Sequence, residues 1–266
     1  MCIRDRAWTV PDWLPWADVS EWLTAEVIDQ LIDGALLTIG VTIVTCITAL
    51  VVGVVLASLR TVGPPSARRF SAAVTEVFRN IPALIQIIFF AFAVPNVVPI
   101  ETRRPLFFDN AFVDAVGAIT GVPIPYYLLA ASLALTLNTG AHLAELIRSG
   151  MQTIPTEQLE AARSLGATVG SSTRTVLIPG GIRAAFPAVS TRLVHNMKNT
   201  ALVSFVAVPD LFQVIQGSIT RTFRATEFLV LAAVLYLALS GVMTFGLQRV
   251  ESRLWRGRAI RRDIGV

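Results

Sequence analysis

Long apolar stretches alternate with short polar intervals along this 266-residue chain. A helix that crosses a bilayer needs about 20 predominantly apolar residues. Residues 35–59, 81–98, 126–147 and 228–247 meet that pattern. A fifth stretch, 184–208, is apolar at both ends but carries Arg192, His195, Asn196, Lys198 and Asn199 within it. The interval 95–124 holds Pro95, Pro99, Pro105 and Pro123 and a short helix pattern over 110–120. The interval 150–183 is longer than a plain connection between helices requires. It carries its own helix pattern: Pro155 and Thr156 start it, Glu157 and Glu160 lie near its positive end, and Gly166 can end it in a left-handed cap. Leu159, Ala162 and Leu165 recur at helical spacing and predict one apolar face. A small helix of this kind at a membrane surface is suited to docking.

Composition strengthens the membrane reading. The chain is 54% hydrophobic and 15% charged, with a mean hydropathy of +0.65, whereas soluble domains carry roughly a quarter charged residues. The predicted class is an all-α integral membrane protein. Lys198 is the sole lysine, so orientation rests on arginine. Five spans with the N-terminus outside gather Arg60, Arg68, Arg69, Arg79, Arg148, Arg163, Arg174, Arg183 and the arginines from Arg249 to Arg262 on the cytoplasmic side. Four spans would leave the Arg-rich tail outside. The expectation is therefore five transmembrane helices, N-terminus outside, C-terminus cytoplasmic, with a cytoplasmic helix in 150–183. Residues 1–31, with Trp8, Trp13, Trp16 and Trp22, read as an extracytoplasmic interfacial segment. Residues 32–253 form the membrane domain, and 254–266 form a basic tail. The net charge of +4 follows from the inner loops and needs no nucleic acid. Cys2 and Cys46 offer neither a disulfide framework nor a metal site.

Polar residues inside spans carry most of the candidate chemistry. Asn138, His142 and Glu145 fall at i, i+4 and i+7, with Ser149 one turn on. Arg192, His195, Asn196 and Asn199 share a face by the same spacing. An ionisable side chain in lipid costs at least about 2.5 kcal/mol, so such residues face a cavity or a partner helix. A phosphate-binding Walker loop needs Lys after Gly, and Lys198 follows Met197. The chain therefore supplies no ATP site of that kind, and no cofactor or catalytic residue is assigned.

Glu160-Ala161-Ala162, three residues, Gly166, nine residues, Val176, then Ile178-Pro179 resembles the EAA signature of permease subunits of ATP-binding-cassette importers. Glu76-x-x-Arg79-x-x-Pro82-x-x-x-Gln86 is similar to the second-span segment of the polar-amino-acid branch. Ala141-His142-x-x-Glu145-x-x-Arg148 resembles the branch pattern with His in place of Tyr. Lys198-Asn199-Thr200-Ala201-Leu202 resembles its Lys-Asp-Thr-Ser-Leu stretch with Asn in place of the acid. The resemblance runs over roughly residues 32–253.

This resemblance implies a transmembrane subunit of a bacterial inner-membrane amino-acid importer. Its partners would be separate ATPase subunits, an extracytoplasmic amino-acid-binding protein, and a second copy or a related permease, all within membrane lipid. Glu160, Ala161, Ala162, Gly166 and Pro179 would couple to the ATPase. Asn138, His142, Glu145, His195, Asn199, Thr200, Arg79 and Gln86 would line the translocation path. The wording Arg79-Asn80-Ile81-Pro82 leans toward acidic or broad amino-acid specificity. A passive channel, or an intramembrane enzyme using Glu145, His142 or His195, is the alternative. A channel has no use for the EAA loop, and no nucleophile or ligand cluster has the spacing an enzyme would need.

Overall fold

The computed structural model describes residues 22–262, with side-chain surroundings through Leu254. The expected interfacial tryptophans Trp8, Trp13 and Trp16 and the end of the basic tail lie outside these bounds. Among the described residues all regular structure is helical.

The first helix, α1 (Ala25–Val62), has 38 residues and is about 57 Å long, well beyond the roughly 30 Å of a hydrocarbon core. It begins ten residues before its apolar run because Thr24 caps it, the hydroxyl accepting from the Val27 N–H at 3.4 Å. Trp22 is the tryptophan of the expected interfacial segment that falls within the described residues. It is buried, its ring edge-on to Phe228 at 4.9 Å, because the start of the last helix passes beside it and covers its apolar surface.

The second apolar run is broken. Helices α2 (Pro65–Asn80) and α3 (Ala83–Asn96) meet at 105°. The third is preceded by α4 (Ala111–Thr120), capped by Asn110 at 3.1 Å, which turns 90° into α5 (Pro125–Gln152). A short helix, α6 (Thr156–Ser164), follows. Then comes the composite helix α7 (Val169–Val206), which bends 50° into α8 (Leu211–Thr222). The last described helix is α9 (Ala225–Arg262), so the described part of the basic tail, residues 254–262, continues that helix. Helices α1 and α9 are each long and apolar enough to cross a membrane, and there are up to five crossings if each bent pair makes one span. The five predicted runs map onto α1, α3, α5, α7 and α9.

The core is the seam of α1 and α7 with α5. Ala49, Leu143, Ile147, Val189 and Leu193 fill one half, and Val41, Ile87, Ala131, Leu135 and Val203 the other. Lipid is as apolar as leucine, so helices here associate through close packing and interhelical hydrogen bonds. Both occur. A methyl group added at Gly53 would lie 2.7 Å from Leu143 Cβ, so that glycine is what lets α1 reach α5. A few turns away, Asn196 is fully buried. Its amide donates to Thr45 Oγ1 at 2.8 Å and accepts from Thr139 Oγ1 at 2.7 Å, tying α7, α1 and α5 in one knot.

Replacing Gly53 with Val should therefore force the α1–α5 seam apart, a cost of about 1–3 kcal/mol for overpacking. Thermal unfolding of the detergent-solubilised protein should show a lowered midpoint. An unchanged midpoint would mean that the seam has slack at this position.

Candidate functional site

Two features of this scaffold stand out: a projecting helix, and a polar seam between α2, α5 and α7.

The projecting helix is α6. None of its residues is buried. Pro155 precedes it, Glu157 sits in its first turn, and Arg163 in its last. It ends in a Schellman turn: the Gly166 N–H donates to Arg163 O at 2.9 Å and the Ala167 N–H to Ala162 O at 3.1 Å. Gly166 has φ of 88°, a left-handed conformation that a side chain would strain. The predicted apolar face is only partly realised. Leu159 packs against the Ile147–Leu177 core and Ala162 is half-buried, but Leu165 is 90% exposed. Leu165 is the capping residue, so the left-handed turn that follows swings it off the helix face. Glu160 and Ala161 point outward, and Glu160 has no ion pair among the described residues. Pro179 lies apart, half-buried in the first turn of the α-helical part of α7. A π-helical turn at Thr173–Leu177 precedes it, a register change that accommodates a proline with no N–H to give.

The polar seam is built on missing N–H groups. Pro82 cannot donate to Phe78 O, the carbonyl four residues back. Gln86 Nε2 donates to it instead at 2.9 Å, and Asn138 Nδ2 of α5 at 3.0 Å. Gln86 Nε2 also reaches Ile81 O at 2.8 Å. Both side chains are buried. Gln86 and Asn138, predicted to line a path, thus hold the 105° hinge between α2 and α3. Asn138 Oδ1 in turn accepts from Arg192 Nη2 of α7 at 2.6 Å. Arg192 Nη1 and Asn199 Nδ2 both approach His195 Nδ1 at 3.3 Å. Both are donors, so that nitrogen accepts. His142 Nδ1 lies 2.9 Å from Asn138 O; a carbonyl only accepts, so this nitrogen carries its proton. His142 also lies within electrostatic reach of Arg79, Arg192 and His195.

The remaining predicted residues separate from this group. Glu145 is clamped: Oε2 accepts from Arg60 Nη1 of α1 at 2.8 Å, and Oε1 from Arg148 Nη2. Thr200 is buried and donates to Met197 O at 2.6 Å. Asn196 was expected on the face of Arg192, His195 and Asn199. It turns instead into the α1–α5 core, where two threonine hydroxyls satisfy it. Sequence reasoning missed Arg60 as a partner of Glu145, because spacing says nothing about contacts between distant helices. It also missed Asp210, whose carboxylate accepts from the Gln213 N–H at 2.9 Å and caps α8. The Pro209-Asp210-Leu211 order carries the signal for such a cap.

Residues 49–256 match the family described as binding-protein-dependent transport system inner membrane component. The chain belongs to this family. Among its relatives, the glutamine transport system permease protein GlnP of Escherichia coli is 28% identical over 85% of this chain and 94% of its own length. The histidine/lysine/arginine/ornithine permease protein HisM of Escherichia coli is 29% identical over 81% and 86%. The arginine permease protein ArgU of Corynebacterium glutamicum is 27% identical over 86% and 69%. Solved structures share the fold. An amino acid ABC transporter with histidines aligns with a TM-score of 0.66 at 24% identity, covering 86% of this chain and 95% of that one. The inward-facing MetNI methionine ABC transporter aligns at 0.64 and 21%, covering 88% and 100%. As a family member the chain is a multi-pass inner-membrane transport subunit.

The hinge gives a direct test of this inner-membrane component. Gln86→Leu and Asn138→Leu should each cost about 0.6 kcal/mol, the usual size of such a bond within a membrane protein. Arg192 loses its acceptor as well in the second. The double variant leaves Phe78 O with no donor and should cost more than the sum, as an orphaned backbone group in an apolar phase does. Unfolding midpoints of the three variants read this out. Strict additivity would contradict the shared-carbonyl account.

Proposed function

We propose that this chain is the transmembrane subunit of an ATP-driven importer of polar amino acids, with α6 as its contact to a separate ATPase. The observation that carries the reading is α6 itself. A capped helix with no buried residue, held to the bundle through Leu159, protrudes from a member of a binding-protein-dependent transport family. Solvent alone gives no reason to build it.

In this reading the N-terminus is outside and α6 faces the cytoplasm, as the arginine distribution requires. Two ATPase subunits dock at the α6 helices of two permease chains, whether identical or related. Ala161 and Ala162 permit close approach, Glu160 meets a basic group on the ATPase, and Gly166 fixes the turn that aims the helix. ATP hydrolysis takes place in the partner, since this chain has no glycine–lysine phosphate loop. An extracytoplasmic binding protein delivers the amino acid to the opposite face. The transported class rests on the relatives, which include glutamine, arginine and histidine/lysine/arginine/ornithine permeases. Closure of the ATPases draws the two α6 helices together and reopens the bundle outward.

A channel or an intramembrane enzyme fits the site less well. Both oxygens of Glu145 are occupied by arginines, and His195 Nδ1 by Arg192 and Asn199, so neither is poised as a base.

Ala161→Trp and Glu160→Lys change an exposed surface and should shift stability by no more than about 0.5 kcal/mol. Each is expected to lower co-purification of the ATPase and ATP-driven uptake in proteoliposomes by at least about tenfold, a loss of roughly 1.4 kcal/mol in coupling. Full uptake with either variant would overturn the assignment of α6.

A further inference from the structure

A cavity of about 1080 Å³ opens between α1, α4, α5 and α8, and no residue of the polar seam or of α6 lines it. Along α1 it runs from Gln30 to Val44, a rise of about 21 Å. One leaflet with its head groups is half of a roughly 40–45 Å bilayer. The cavity is as long as a leaflet is thick. Its lining changes along that length: Gln30 and Asp33 come first, then Leu36, Leu37, Val41 and Val44. Helix α8 starts beside this stretch, where a methyl at Gly34 would meet Leu211 Cα at 3.0 Å and the Leu211 N–H donates to Thr38 Oγ1 at 3.1 Å. Its next turn, at Ile215, shares an apolar cluster with Leu31 and Trp22. Helix α8 therefore leads toward the start of α1, and its last turn brings Arg221 to the polar end. Two glycines keep the space open. A methyl at Gly40 or Gly217 would meet nothing within 4 Å, although glycine inside a helix is less stable than alanine.

Asp33 and Arg221 line this one cavity with opposite charges, yet neither forms an ion pair or a side-chain hydrogen bond among the described residues. The cavity also borders the exposed apolar face of α1 that carries Ile39, Ile43 and Ile47, the face a bilayer covers. We infer that the cavity holds one phospholipid of the leaflet in which α1 begins, of the phosphatidylethanolamine type, whose head group carries a phosphate and a primary ammonium. The Arg221 fork suits the phosphate, and the Asp33 carboxylate accepts from the ammonium. The acyl chains lie along Leu36, Leu37, Val41 and Val44, with Ile119 of α4 and Leu129 of α5 on the opposite wall. Charge complementarity selects the head group. Phosphatidylglycerol has no cation for Asp33, and phosphatidylcholine has the charge but no N–H to donate. The site is separate from the ATPase contact at α6 and does not depend on it.

The test is native mass spectrometry of the full-length chain released from nanodiscs that contain equal parts phosphatidylethanolamine, phosphatidylglycerol and phosphatidylcholine. One phosphatidylethanolamine should stay on each chain, at least about tenfold over either other lipid. Asp33→Asn should reduce that preference to less than about twofold, because phosphatidylglycerol gains what phosphatidylethanolamine loses. Arg221→Gln should lower retention of all three lipids at least about tenfold. Gly40→Leu puts a side chain into open space and should expel the lipid while leaving the unfolding midpoint in lipid-free detergent no lower than that of the parent chain. Asp33 and Arg221 are exposed, so their variants test the site even where Gly40→Leu fails to fold. No retained lipid, equal retention of the three head groups by the parent chain, or full retention in Gly40→Leu would overturn the inference. So would a Gly40→Leu variant that splits a dimer of chains without releasing lipid, since the groove would then belong to a second copy.

Discussion

A backbone carbonyl in an apolar phase must find a donor, and proline removes one. That constraint organises this bundle. Pro82 leaves Phe78 O without its helical partner, and the shift to a π turn at Phe89–Ala93 aims Phe90 O at Pro95, which has no N–H. Helix α5 supplies both missing donors. Asn138 Nδ2 reaches Phe78 O at 3.0 Å, and the Tyr126 hydroxyl reaches Phe90 O at 2.6 Å. The two donors stand twelve residues apart, about 18 Å along one helix. The broken span α2–α3 is thereby pinned to α5 at two heights.

The same asparagine passes the constraint onward. Its oxygen holds Arg192, which meets His195, which meets Asn199. A hinge in one helix, the middle of a second and the polar face of a third thus form one hydrogen-bonded chain. Beside it, the Asn196 knot and the Gly53 contact fix α1 and α7 against α5. The result is one packed frame that links the polar seam to the end of α5, from which the exposed α6 follows.

Much of this was legible from residue order. The apolar runs gave α1, α5 and α9 their places, Asn110 announced α4, and Pro155 with Gly166 bracketed α6 to within a residue. Other features required three dimensions. Pro82 reads as an ordinary first-turn proline until Gln86 and Asn138 are seen on the orphaned carbonyl. Helical spacing put Asn196 with Arg192 and His195, but two threonines from other helices draw its amide into the core. Leu165 fits an apolar stripe by spacing, yet the left-handed Gly166 turns it outward. In each case the deciding partner lies on a distant helix or in a backbone angle, and neither is written in the local pattern. For the candidate site, the residues of α6 were found from their order. The roles within the seam were not, because Gln86, Asn138 and Glu145 carry hydrogen bonds whose partners sit dozens of residues away.

The central claim is that force enters this subunit through α6. Hydrogen–deuterium exchange of the nanodisc-embedded permease, with and without its ATPase, measures that contact directly. Amides of residues 156–166 should slow when the ATPase binds, while α4, at the far end of α5 from α6, keeps its rate. Unchanged exchange across 156–166 in a complex shown to be assembled would contradict the account.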